Sequence, residues 1–93
     1  MSEAPQMQRD VQIVNRAGMH ARPAAEFVRL AGSFKAEITV FKDGLEVNGK
    51  SIMGVLMLAA EQGSTLRLVA EGEDAPEALD ALADLVSRGF EEA

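Results

Sequence analysis

The chain has 93 residues, 47% of them hydrophobic and 26% charged, the composition of one globular domain with its own core and no room for a second. It contains no cysteine, which excludes a disulfide framework, a thiolate metal site and thiol redox chemistry. A net charge of −6 argues against nucleic acid as a partner, and with neither a membrane-length apolar run nor a leader pattern the expected location is cytoplasmic.

The charge is unevenly placed. Residues 1–50 carry seven Lys/Arg against six Asp/Glu, and residues 51–93 carry two against nine. The acidic half reads as a solvated helix, while Arg16, Arg22 and Arg29 offer a local cationic face in the first half.

Residues 1–6, polar and containing a proline, are expected to fray. MQRDVQIV then alternates, with Val11 and Ile13 on one face and Asp10 and Gln12 on the other, which predicts a half-buried strand. After the turn-like NRAGM, a helix begins near residue 21; Ala24, Phe27, Val28 and Ala31 form its apolar stripe and Gly32 its stop. EITVFK and LEVN read as two strands joined by Asp43-Gly44, a two-residue hairpin signal. SIMGVLML predicts a short helix capped by Ser51 and weakened by Gly54. TLRLVAE alternates through Leu66, Leu68 and Ala70. A last helix enters at Asp74 with a capping-box-like Glu77 and an early Pro76, buries Leu79, Leu82 and Val86, and closes at Gly89. The order β-α-β-β-α-β-α, with short strands and one tight hairpin, predicts an α+β domain: an antiparallel sheet with helices on one face.

Residues 44–51, GLEVNGKS, match the nucleotide-binding P-loop pattern at Gly44, Gly49, Lys50 and Ser51. The context opposes it. Gly44 belongs to the hairpin, the residues between the glycines read as a strand, and the chain is too short for the parallel sheet that houses a P-loop. What survives is Ser51 at a helix N-terminus, where free N–H groups favour negative charge; the serine serves there as a cap, as a phosphate contact or as a phosphate acceptor.

His20, the only histidine, stands at the start of the first helix in GMHARP, with Pro23 in the first turn where a missing N–H is harmless. Unpaired N–H groups at that point suit a neutral, nucleophilic imidazole and would receive the charge of a phosphoryl group placed on it. Arg22 could add a planar, multi-donor partner. A lone histidine there is more often a plain cap, so the residues alone leave both readings open. With one histidine and no cysteine, a metal site is not expected.

NRAGMHARPAAEFV, residues 15–28, resembles the active-site segment of HPr, the histidine-containing phosphocarrier family of the bacterial phosphoenolpyruvate-dependent sugar phosphotransferase system. NGKSIMGVLML, residues 48–58, resembles that family's regulatory-serine segment, and the resemblance extends over residues 7–90 of a single domain. It implies an open-faced β-sandwich of four antiparallel strands and three helices. It implies that His20 accepts a phosphoryl group on Nδ1 from phosphorylated enzyme I and passes it to a sugar-specific IIA domain, with Arg22 stabilising the group and Pro23 shaping the helix start. Ser51 matches the serine modified by a kinase/phosphorylase. No cofactor is implied, since Mg²⁺ belongs to the enzyme I step, and the expected state is a monomer. Met19 stands where Leu or Ile is more usual, a volume-conserving difference.

For partners, Ala21, Ala25 and Arg29 with Ile52, Met53 and Leu56 are candidates for an exposed apolar face ringed by arginine, with one of Ile52 and Leu56 expected to pack inward. The family implies two roles: a phosphoryl carrier, or a mainly regulatory protein that acts, phosphorylated on Ser51, as co-effector of a transcription regulator in carbon catabolite control. The presence of His20 favours the carrier.

Overall fold

The computed structural model describes residues 6–92. The fraying expected for residues 1–5 falls outside these, and Gln6 is already paired with Glu71 as the first residue of a strand. In chain order the elements are β1 (Gln6–Gln12), α1 (Ala21–Gly32), β2 (Glu37–Lys42), β3 (Leu45–Asn48), α2 (Ile52–Met57), β4 (Thr65–Glu71) and α3 (Ala75–Ser87). A short 3-10 turn, Gly89–Glu91, follows α3. All pairings are antiparallel and the strand order is β1-β4-β2-β3. This is the β-α-β-β-α-β-α open-faced arrangement expected from the sequence.

The alternation in the strands decides which face is covered. Ile38, Val40, Val47, Leu66, Leu68 and Ala70 are buried, and helices lie over them. From above, α1 contributes Ala24, Phe27 and Ala31, α2 contributes Val55, and α3 contributes Ala78, Leu79, Leu82 and Val86. Each large side chain buried here contributes about 1.5–3 kcal/mol. The opposite face, with Asp10, Arg67 and Glu46, is open to solvent.

Lys42 faces Leu45 across the β2–β3 hairpin, so its loop is Asp43-Gly44, and both residues have positive φ (50° and 84°) as a type I′ turn requires. β3 occupies the segment that a P-loop would use as its cradle. At Gly49 a Cβ would lie 2.6 Å from Ile38 Cγ2, so this glycine permits close packing instead of phosphate binding. Gly54, a weak helix residue, lets α2 approach β3: its Cβ would come within 3.2 Å of Val47.

Local contacts bear out the end of α1 and correct the start of α3. Gly32 is the last residue of α1, as expected, and Ser33 caps the helix, its Oγ donating to the Leu30 carbonyl at 2.6 Å. Asp74 makes no capping-box bond. Its carboxylate accepts instead from the Lys35 and Ala36 amides, each at 2.8 Å, in the connection before β2 where those N–H groups lack strand partners. Lys50 Nζ donates to the Phe34 carbonyl at 2.8 Å and pins the same connection.

Candidate functional site

The site begins with a turn that holds its backbone in one position. Gly18 donates its N–H to the Asn15 carbonyl at 3.1 Å, and the Asn15 amide returns a bond to the Gly18 carbonyl at 2.8 Å. Gly18 has φ +73°, and a Cβ there would meet the Ala60 carbonyl oxygen at 2.5 Å, so only glycine fits. Met19 donates its N–H to the same carbonyl at 2.8 Å and buries its side chain in the core. The chain therefore delivers His20 to the N-cap of α1 from a fixed platform.

At that N-cap His20 is extended (φ −85°, ψ −167°) and its side chain makes no capping bond. The first helical amide to return to His20 is that of Ala24, after the buried Pro23, which has no N–H to satisfy. The amides of the first turn and the positive end of the helix dipole are thus left facing the imidazole side, an arrangement suited to an anion.

The imidazole itself is held by the far end of the chain. Its Nε2 lies 2.8 Å from Glu92 Oε2, and the same oxygen accepts from Arg22 Nη2 at 2.6 Å. The other oxygen, Oε1, accepts from Asn15 Nδ2 at 2.9 Å. Arg22 Nη1 donates to Glu26 at 2.9 Å, so two carboxylates hold one guanidinium. Burial works against the Glu92 charge, but the hydrogen bonds from Asn15 and His20 and the positive charge of Arg22 outweigh it and hold this carboxyl below its usual value. The Glu92 side chain is only 11% exposed, whereas His20 is 42% and Arg22 54% exposed. The carboxylate is enclosed and the two cationic or nucleophilic groups stay reachable.

The second helix start is built differently. Ser51 is the N-cap of α2, extended at φ −112° and ψ 117°, with its Oγ accepting from the Gly54 amide at 3.1 Å. Its hydroxyl is half-buried and remains able to donate.

Comparison with known proteins places the chain in a family. A family model described as "PTS HPr component phosphorylation site" matches residues 7–88. The chain belongs to the HPr family.

Among its relatives, the phosphocarrier protein HPr of Cupriavidus necator is 46% identical over 86 residues, which cover 92% of this chain and 97% of the relative. The HPr-like protein Crh of Halalkalibacterium halodurans is 44% identical over 82 residues, covering 88% and 98%. The crystal structure of HPr from Thermoanaerobacter tengcongensis superimposes with a TM-score of 0.90 at 46% identity, covering 94% of this chain and 98% of that one. Membership identifies a component of the phosphotransferase system, a carrier rather than a catalyst. Among the described residues no helix is long and apolar enough to cross a membrane.

Within this HPr-family fold, His20, Arg22 and Pro23 come together at the start of α1. The candidate docking residues divide by exposure. Ala21 and Arg29 are exposed and Ala25 half-buried; Ile52 (41%) and Met53 (67%) are exposed, while Leu56 packs partly into the core. Met57, 65% exposed, joins this face and was not expected there. A surface depression of about 520 Å³ lies elsewhere, between β2 and β3, lined by Glu37, Thr39, Glu46 and Lys50, and contains none of these residues.

Sequence reasoning missed Asn15, Glu26 and Glu92. Glu26 had a signal, standing four residues after Arg22 on one helix face. Asn15 lies in the quoted motif yet reads only as a turn residue. Glu92 had no local signal, since 72 residues separate it from His20.

Proposed function

We propose that this protein carries a phosphoryl group on His20 Nδ1, accepting it from phosphorylated enzyme I and passing it to IIA domains of sugar transporters. The observation that carries the reading is the exposed imidazole at an uncapped helix N-terminus beside Arg22. Phosphoryl transfer requires mainly positioning and charge stabilisation. The amides at the start of α1 and the guanidinium supply donors for the transferring oxygens, and the fixed Gly18–Met19 platform supplies position. Pro23 sets the helix start without adding a competing N–H.

Docking uses the faces of α1 and α2 together, as a monomer: Ala21, Ala25 and Arg29 with Ile52, Met53 and Leu56. Exposed methionine suits a surface that fits several partners. Ser51 is the regulatory phosphorylation site for a kinase/phosphorylase, and a phosphate there puts roughly −1.5 to −2 charge beside that face. The second reading, a Ser51-phosphorylated co-effector of a transcription regulator, is favoured by the similarity to an HPr-like protein Crh.

Incubation with phosphoenolpyruvate and enzyme I tests the carrier. The expected result is an acid-labile, base-stable label that His20→Ala lacks. An acid-stable label that forms only with ATP and a kinase would instead make the protein a regulator.

A further inference from the structure

Glu92 lies beyond residues 7–88, the segment matched by the family model, yet it makes more contacts to the site than any other side chain described above. An ionised carboxylate has no proton to give, so in the 2.8 Å contact with His20 the imidazole Nε2 must be the donor. A neutral ring with its proton on Nε2 keeps its lone pair on Nδ1. The carboxylate therefore chooses the nucleophilic nitrogen.

Two features hold the carboxylate in place. Asn15 is buried, its Nδ2 bridges the Gly18 carbonyl and Glu92 Oε1, and its Oδ1 has no partner among the described residues. Reversing the amide would turn Oδ1 onto two acceptor oxygens, so the orientation is set by what Nδ2 must reach. The tail backbone is equally committed. Gly89, Phe90 and Glu91 follow one another in the left-handed region at φ 62°, 54° and 59°, a conformation two non-glycine residues adopt only when packing dictates it. Phe90 is 1% exposed and supplies that packing.

We propose that Glu92 is a positioning residue for phosphoryl transfer, holding the His20 imidazole with its proton on Nε2 and its Nδ1 lone pair free for the incoming group. This rests on the carrier reading. In the step, the Nδ1 pair forms the bond to phosphorus, the bond from phosphorus to the enzyme I donor atom breaks, and that atom keeps the pair. The ring retains its Nε2 proton and becomes positive, and Glu92 faces that charge across the hydrogen bond, as the orienting carboxylate does in a nucleophile–histidine–carboxylate triad. Onward transfer to a IIA domain reverses the sequence.

Nitrogen-15 NMR of the unphosphorylated imidazole and the rate of labelling by enzyme I test the idea together. The wild-type ring is expected in the single Nε2–H form once deprotonated. Glu92→Ala should give a mixture of tautomers and a fall of about tenfold or more in kcat for labelling, the size seen when an outer partner of a functional imidazole is lost, with KM little changed. Glu92→Gln, whose amide oxygen still accepts from Nε2–H, should restore the tautomer. A single Nε2–H form in Glu92→Ala, or labelling at the wild-type rate, would overturn the proposal. Failure of the carrier reading is separate: it would appear as no label on the wild type, whatever the tautomer.

Discussion

Phe90→Ala is the most informative change outside the site, because one ring fastens the tail that carries Glu92. The ring is 1% exposed and belongs to the main core, and removing a buried phenylalanine destabilises by about 3–5 kcal/mol through lost transfer energy and the cavity left behind. Alanine offers no relief of the left-handed backbone at φ 54°, since it keeps a Cβ. Each kcal/mol lowers Tm by roughly 4–8 °C in a domain of this size, so a fall of roughly 12–40 °C is expected. In urea the midpoint should drop while the slope m stays the same. Phe90→Gly refines the test: glycine adopts the left-handed region freely, worth roughly 1 kcal/mol, and should therefore be no less stable than Phe90→Ala despite the smaller side chain. A loss below about 1 kcal/mol for Phe90→Ala would refute the account, because it would place the ring outside the core and leave Glu92 without an anchor.

Ser51→Asp should keep the fold, because aspartate caps a helix as well as serine does, and should slow labelling by enzyme I at least about tenfold; an unpaired carboxylate desolvated at an interface costs more than the ~1.4 kcal/mol that tenfold represents. Labelling as fast as wild type would remove Ser51 from the docking face. Asp74→Ala should destabilise at neutral pH by an amount that shrinks in acid. The backbone hydrogen bond from Lys35, opposed by partial burial and helped by the Ala36 amide, holds the Asp74 carboxyl below its ordinary value of 3.8. A carboxyl depressed in the folded state contributes stability above its unfolded pKa, and that contribution is lost as pH falls through the ordinary value toward the lowered one. Urea unfolding at pH 7 and near pH 3 measures it; an unchanged difference would contradict the geometry at residues 35–36.

Local signals carried the fold because its elements are locally consistent. Alternation marked Ile38, Val40, Leu66, Leu68 and Ala70, the Asp43-Gly44 pair marked the hairpin, and the stripe Leu79, Leu82, Val86 marked α3; all of these hold. The same locality explains the errors. Asp74 has the letters of a helix cap, but two strandless amides 38 and 39 residues away hold its carboxylate. Lys50 completes a P-loop pattern, yet the carbonyl of Phe34 decides where it points. At the site, the placing of His20, Arg22 and Pro23 at one helix start was legible within four residues, while the phosphoryl reading of His20 came only with the resemblance to the HPr family. Glu92 was not, because its role depends on a left-handed turn at Phe90 and Glu91 that no local propensity favours.

The position of the phosphoryl group on the His20 ring is the most direct test of the carrier function. With ¹⁵N-histidine-labelled protein phosphorylated by enzyme I and phosphoenolpyruvate, phosphorus–nitrogen coupling should appear at Nδ1 of His20 while Nε2 retains its proton, and it should vanish when a IIA domain is added. Coupling at Nε2, or phosphate found only on Ser51, would contradict it.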